Sequence, residues 1–239
     1  MPHTPHDSPE RYQRRFDEGK IPKPKRAYYA AIAQFDDTVG ELIQMIESRG
    51  LADDTLFVFV IDNGFEPLPE KPSQYTKESK RSPFEPGTRT PILLRFDDRI
   101  EPGIRRELVS SLDLFPTILS SAAIAIESRP PGVDLWPNAL SSKARLDPHR
   151  AIYGAIYPGD ATQLGDASID VAYRWIRRGP LKLILPTSDS PWNGYVNGPS
   201  LFDLSVDPHE TENLSDGPRY AQRLGELVQL LDAWWKPNR

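Results

Sequence analysis

Cysteine is absent from all 239 residues, which excludes disulfides and thiolate metal sites and leaves the redox compartment open. No apolar run is long enough to cross a bilayer, so no transmembrane segment is expected. No basic cluster that would make a face stands out along the sequence, and the net charge is −5, so nucleic acid is not expected as the main partner. The 20–26 stretch is basic, but it is short and broken by proline, which suits a solvated loop. Internal repeats and low-complexity tracts are missing too. Residues 1–6 show no charged-then-apolar leader; any leader is expected upstream, and localisation stays unknown. Proline, by contrast, is abundant: 25 residues fix many turns. A hydrophobic content of 38% and a charged content of 26% are those of a globular chain long enough to bury a core.

The chain reads as organised around residues 56–64, Leu-Phe-Val-Phe-Val-Ile-Asp-Asn-Gly. Six consecutive apolar residues bounded by turn formers predict a strand buried on both faces, the pattern of parallel sheets covered by helices. Asp62 and Asn63 stand just past its carboxyl end, where open α/β sheets place ligands, and both side chains end in the oxygen that hard cations prefer. Asp-Asn-Gly is equally common as a plain turn.

Upstream, Tyr29, Ile32, Phe35, Val39, Leu42, Ile43 and Ile46 recur at helical spacing over 26–49, with Gly50 as the stop. Residues 65–90 hold five prolines and no periodicity, a long loop of the kind that contacts substrate. A short strand follows at 91–95. A helix is expected over 108–124, capped by Asp113, with Pro116 in its first turn and Leu119 and Ala122–Ala123 on its face. Residues 127–150 are an aperiodic Pro/Ser-rich transition. Beyond it come short strands at 151–157, 171–177, 181–185 and 201–204, a turn at Arg178-Gly179-Pro180, and a helix from about Pro218 with Asp216 as cap. The class is α/β over 1–145, followed by a small α+β subdomain over 146–239, short antiparallel strands plus a terminal helix. Trp192, Trp234 and Trp235 read as packing residues.

Eight blocks in order resemble the sulfatase family of the alkaline-phosphatase-like superfamily. They are Pro2-His3-Thr4-Pro5; Phe35-Asp36-Asp37-Thr38-Val39-Gly40; Gly50-Leu51-Ala52-Asp53-Asp54-Thr55-Leu56; and Asp62-Asn63-Gly64. Then come Lys80 with Glu85, Gly87, Arg89 and Pro91; Asp113-Leu114-Phe115-Pro116-Thr117; Gly132-Val133-Asp134-Leu135; and Leu201-Phe202-Asp203-Leu204 with Asp207-Pro208, Glu210 and Asn213-Leu214. The resemblance implies part of an alkaline-phosphatase-like sheet covered by helices. It implies that Asp62 and Asn63 are metal ligands, usually to Ca2+, with Mg2+ as the alternative. Lys80 looks like the lysine that contacts the sulfate group, and His3 like the histidine that contacts sulfate or assists the leaving oxygen. Taken alone, His3 is a solvated histidine and Lys80 a surface lysine. Glu85 and Arg89 are expected to hold the loop through a mutual ion pair. Asn63 stands where phosphodiesterase branches carry histidine, which argues against a phosphoester or phosphonate hydrolase.

The family nucleophile is a formylglycine made within a Cys/Ser-x-Pro-x-Arg motif. The nearest serine match here, Ser128-Arg-Pro-Pro-Gly, lacks the arginine and falls in the wrong block. Nor does anything before Asp62 resemble the family's first aspartate pair. Within the loop, residues 65–79 lack the family's glycines and Pro86 replaces another. The expectation is therefore a carboxyl-terminal portion, inactive alone. It belongs to an enzyme acting on a sulfated small molecule or glycan, and its open sheet edge is covered by the missing amino-terminal half or by a partner. The alternative is a non-catalytic binding or accessory protein.

Overall fold

Proline sets the starts of the first two helices: α1, Glu10–Gln13, follows Pro9, and α2, Lys23–Ser48, follows Pro22. These elements come from a computed structural model that describes residues 5–16, 19–68, 71, 74–125, 130–157, 159–187 and 196–237. The helical spacing read in the sequence lies within α2. Its stop is Gly50, at φ 68°, where the Leu51 N–H reaches back to the Ile46 carbonyl at 3.1 Å, the closing bond of a glycine-terminated helix.

A 3₁₀ turn, Ala52–Asp54, leads into β1, Phe57–Val60. The long loop after β1 ends in a single helical turn, α3, Glu85–Thr88, and then β2, Ile92–Arg95. β1 pairs antiparallel with β2, Phe57 opposite Arg95 and Val60 opposite Ile92. This corrects the expectation of a parallel strand buried on both faces. β1 is half-buried, with Val60 44% exposed, and no third strand joins this sheet among the described residues. An unbroken apolar run encodes burial and says nothing of its partner's direction.

Helices nevertheless lie on both faces. Phe57 and Phe59, with their cross-strand neighbours Arg95 and Leu93, face α2: the Phe35 ring is 6.1 Å from that of Phe59, and Arg95 bonds Glu47 at 2.8 Å. On the opposite face Leu56 and Val58 share a groove of about 440 Å³ with Ile118 of α4, Leu114–Ser121. That helix is shorter than expected, because a 3₁₀ turn, Ser111–Asp113, precedes it and Ala123 at φ 56° ends it. Asp113 does not cap it. Its carboxylate turns back to accept from the Ser110 N–H at 2.7 Å and also takes the Val133 N–H and Arg150. Pro116 and Thr117 form the buried side of α4, whereas Ala122 and Ala123 are exposed. The aperiodic transition contains a short helix, α5, Trp136–Leu140.

The tail strands are β3, Ala151–Ile156; β4, Tyr173–Arg178; β5, Leu181–Pro186; and β6, Ser200–Asp203. They form one antiparallel sheet in sequential order, as the short-strand reading required. Gly179, at φ 56°, makes the β4–β5 turn. One face carries Ile176, Leu183 and Leu201 against Leu227 and Leu231 of α6, Ala221–Trp234. A 3₁₀ turn, Pro218–Tyr220, feeds α6 with no side-chain cap, so Asp216 does not act as one. Trp234 packs as expected, stacked on Tyr153 at 5.3 Å; Trp192 lies outside the described residues. The other face, with Tyr173, Ile184 and Phe202, packs on Phe84, immediately before α3. The tail sheet thus sits directly on the loop that follows β1.

Candidate functional site

The exit of β1 builds its own turn. The Asp62 carboxylate accepts the Asn63 N–H at 2.9 Å, and the Asn63 side-chain amide donates to the Gly64 carbonyl at 2.8 Å. One carboxylate oxygen of Asp62 and the amide oxygen of Asn63 remain without donors among the described residues. Asp62 is exposed and Asn63 partly so. Both are therefore open to a ligand from solvent.

Two glycines bring the lysine loop to this turn. The Gly64 N–H donates to the Gly87 carbonyl at 2.9 Å, and a Cβ on Gly64 would lie 1.8 Å from the Pro86 carbonyl oxygen. A Cβ on Gly87 would in turn lie 2.1 Å from the Ser79 carbonyl oxygen and 2.8 Å from the Ser82 hydroxyl. Such approaches need glycine at both places. Residues 62–64, 86–87 and 79–82 are stacked backbone on backbone, and Lys80 rides on the last layer. Its turn is fixed from below by buried serines, with the Ser82 hydroxyl donating to the Glu78 carbonyl at 2.6 Å and that of Ser79 to Thr76 at 3.0 Å. Arg81 takes a left-handed φ of 69°, a conformation that costs an L-residue roughly 1–2 kcal/mol. Lys80 itself is half-buried and makes no ion pair among the described residues.

Glu85 does not pair with Arg89, which corrects the sequence expectation. Arg89 ends α3 in an extended conformation with its side chain in solvent. Glu85, on the first turn, instead points into the tail sheet. Its carboxylate meets Lys182 at 3.1 Å and Arg177 at 3.0 Å, a cross-strand pair of β5 and β4. Two like charges side by side on a sheet repel; here Glu85 and a second carboxylate, Glu210, compensate. Glu210 lies 2.9 Å from Lys182 and also accepts the Glu85 backbone N–H. Lys182 is 0% exposed. Burial pushes the Glu210 carboxyl up from its ordinary value, against the pull of Lys182. Glu210 is held at φ 56° by the turn around Asp207, whose carboxylate accepts the Thr211 and Glu212 N–H groups at 2.8 and 2.9 Å.

His3 lies outside the described residues. Its neighbour His6 packs edge-on to Tyr28 at 5.2 Å and to Phe65 at 6.2 Å, and its Nε2 is buried with no hydrogen-bond partner among the described residues. Phe65 follows Gly64, so this contact ties the amino-terminal segment to the Asp62–Asn63 turn. Among the described residues no cluster of three or more His, Cys, Asp or Glu could hold a metal ion. Asp62 and Asn63 by themselves provide two oxygen donors of the roughly six to eight that calcium takes.

Residues 1–124 match the family model described as Sulfatase, and residues 75–236 match N-sulphoglucosamine sulphohydrolase, C-terminal. The chain is 31% identical over 205 residues to choline-sulfatase of Rhizobium meliloti, covering 84% of this chain and 35% of that protein. It is 30% identical over 227 residues to arylsulfatase K of Xenopus laevis, covering 91% of this chain and 37% of that one. Among solved structures, one in complex with its substrate D-glucosamine-2-N,6-O-disulfate matches at TM-score 0.64 and 25% identity, over 87% of this chain and 40% of that chain. Ps i-CgsB, solved with a neocarrahexaose, shares the fold at TM-score 0.72 and 23% identity, over 100% of this chain and 49% of that one. The chain therefore spans about a third of the length of these curated relatives.

Proposed function

This chain belongs to the sulfatase family, and from that premise we propose that it supplies one wall of a metal-dependent active site that hydrolyses sulfate esters. The observation that carries the reading is the two-glycine stack, which ties the oxygen ligands after β1 and the lysine turn into one unit. Asp62 and Asn63 would hold a hard divalent cation, Ca2+ foremost and Mg2+ as the alternative, through carboxylate and amide oxygens. Bound there, such a cation supplies Lewis-acid stabilisation of negative charge on oxygen.

Lys80 contributes its ammonium, carried on a fixed turn, to the sulfate group, and His3 contacts the sulfate or protonates the leaving oxygen. Sulfate-ester cleavage spreads negative charge over peripheral and leaving oxygens, and groups fixed in place beforehand stabilise it without reorganisation. The Cys/Ser-x-Pro-x-Arg motif that yields the formylglycine nucleophile does not occur in this sequence. Catalysis is accordingly assigned to the assembly of this chain with a portion carrying that motif, acting on a sulfated small molecule or glycan. The fold reading extends in the same way, to part of an alkaline-phosphatase-like sheet with a tail subdomain beginning near residue 146. The absent motif also favours a second reading, a binding protein that uses the same surface without turnover.

Calcium titration followed by backbone NMR tests the metal assignment on the chain itself. Shifts should centre on Asp62, Asn63 and Gly64, with affinity no tighter than about 10⁻⁴ M because the ligand set is partial, and Asp62→Ala should abolish them. Saturating shifts elsewhere, or none at this turn, would overturn the assignment. An aryl sulfate with calcium present should not be turned over by the purified chain; turnover sensitive to Lys80→Ala would show that the chain completes its own site.

A further inference from the structure

We propose that the cleft between the 104–108 segment, the 142–150 segment and the β4–β5 turn is a binding site for a molecule bearing two or more oxyanion groups, sulfates or phosphates. The cleft encloses about 730 Å³, the scale of a small saccharide or nucleotide-sized ligand. Five arginines line it, Arg105, Arg106, Arg145, Arg150 and Arg177, in a chain whose net charge is −5.

The two inner arginines are anchored from behind. Arg150 bonds the buried Asp113 at 2.6 Å and the Leu108 carbonyl at 2.9 Å; Arg177 bonds the buried Glu85 at 3.0 Å. A guanidinium has five N–H donors, so these bonds fix its plane and leave others for the cleft. The three outer arginines have no carboxylate partner among the described residues. Arg105 donates to the Asn138 carbonyl at 3.2 Å, Arg145 donates to the Ser142 and Ala144 carbonyls, and the Arg106 side chain makes no bond among the described residues.

Two carboxylates also line the cleft, yet neither neutralises these groups by direct pairing. Glu107 accepts the Arg106 backbone N–H at 3.0 Å, and Asp147 accepts the His149 backbone N–H at 2.8 Å. Backbone donors hold Glu107 below the usual carboxylate range, with Asn138 and the charge of Arg145 adding to them. What remains is a set of like-charged forks that a polyoxyanion would satisfy and whose mutual repulsion it would relieve. Guanidinium groups bind sulfate and phosphate oxygens in pairs, with geometry an ammonium lacks. This assignment rests on the cleft's own chemistry and does not require the hydrolysis proposed above.

The test is calorimetric titration of the chain with a disulfated disaccharide, the same disaccharide unsulfated, and a bisphosphorylated one. The parent should bind the charged probes and not the neutral one; equal binding of sulfate and phosphate forms marks general oxyanion recognition, and preference for one identifies the source. Arg106→Ala with Arg145→Ala removes two exposed side chains that hold no other element, and should weaken binding by about tenfold or more. In a Lys80→Ala background, which removes the sulfate contact at the ester site, the charged probes should still bind, and the double arginine variant should still weaken them. Equal binding of the neutral disaccharide, or undiminished binding by the double variant, would overturn the proposal. Loss on Lys80→Ala alone would also overturn it, by assigning the anion to the sulfate-ester site and leaving that function intact.

Discussion

A methyl group added at Gly64 would meet the Pro86 carbonyl oxygen at 1.8 Å, whereas one added at Gly40, in the middle of α2, would meet nothing within 4 Å. The same substitution should therefore act in opposite directions. Gly64→Ala must push the lysine loop off the strand end and should cost about 1–3 kcal/mol, the scale of overpacking. Gly40→Ala should raise stability by about 0.5–1 kcal/mol through helix propensity. Chemical denaturation of both variants checks the pair. As candidates, Asp62 and Asn63 are legible in the sequence, because they follow an apolar run. Lys80 gave no local signal, and only its place in an ordered set of blocks marked it. His6 carries no signal in the sequence, where a histidine among prolines reads as an irregular approach segment; only its aromatic neighbours mark it.

At the scale of elements, the decisive link joins residues 97 apart: Glu85 on α3 and Lys182 on β5. Lys182→Met should leave two buried carboxylates without their shared cation and cost about 3–5 kcal/mol. Double-mutant cycles with Glu85→Gln would separate that loss from simple packing. Protonated Glu210 favours the folded state because its carboxyl is raised. Its contribution is complete below the ordinary value near 4.5 and fades as pH rises through the raised folded value. Glu210→Gln cannot titrate, so its stability relative to the parent should improve as pH rises above the ordinary value near 4.5, read in denaturation midpoints. Helical and strand periodicity is local, and it gave α2, α6 and the four tail strands. It cannot report a pair separated by half the chain. Glu85 and Arg89, close together in one loop, invite a mutual ion pair. A single turn ending in extended backbone sends the two side chains in different directions instead.

Over the whole molecule, large apolar side chains face solvent on the first part of the chain: Leu93 is 58% and Phe115 57% exposed, with Val60, Phe35 and Leu42 also open. A two-stranded sheet with such faces calls for a cover, which is consistent with a chain that spans about a third of its curated relatives. Sedimentation should show concentration-dependent self-association, and Leu93→Lys should reduce it; a monodisperse parent at high concentration would contradict this. The tail behaves differently, since its sheet is already closed by α6 on one side and by Phe84 and Glu85 on the other. That closure bears on inheritance. Because Glu85 lies in the lysine loop but finds its partners in the tail, the tail is not an interchangeable appendage. A tail transplanted from a relative would be accepted only if it brought the equivalents of Lys182, Arg177 and Glu210 in register with that one glutamate. Loop and tail should therefore pass between lineages as a single heritable unit, and chimeras cut between them should fail where chimeras cut upstream of the loop succeed.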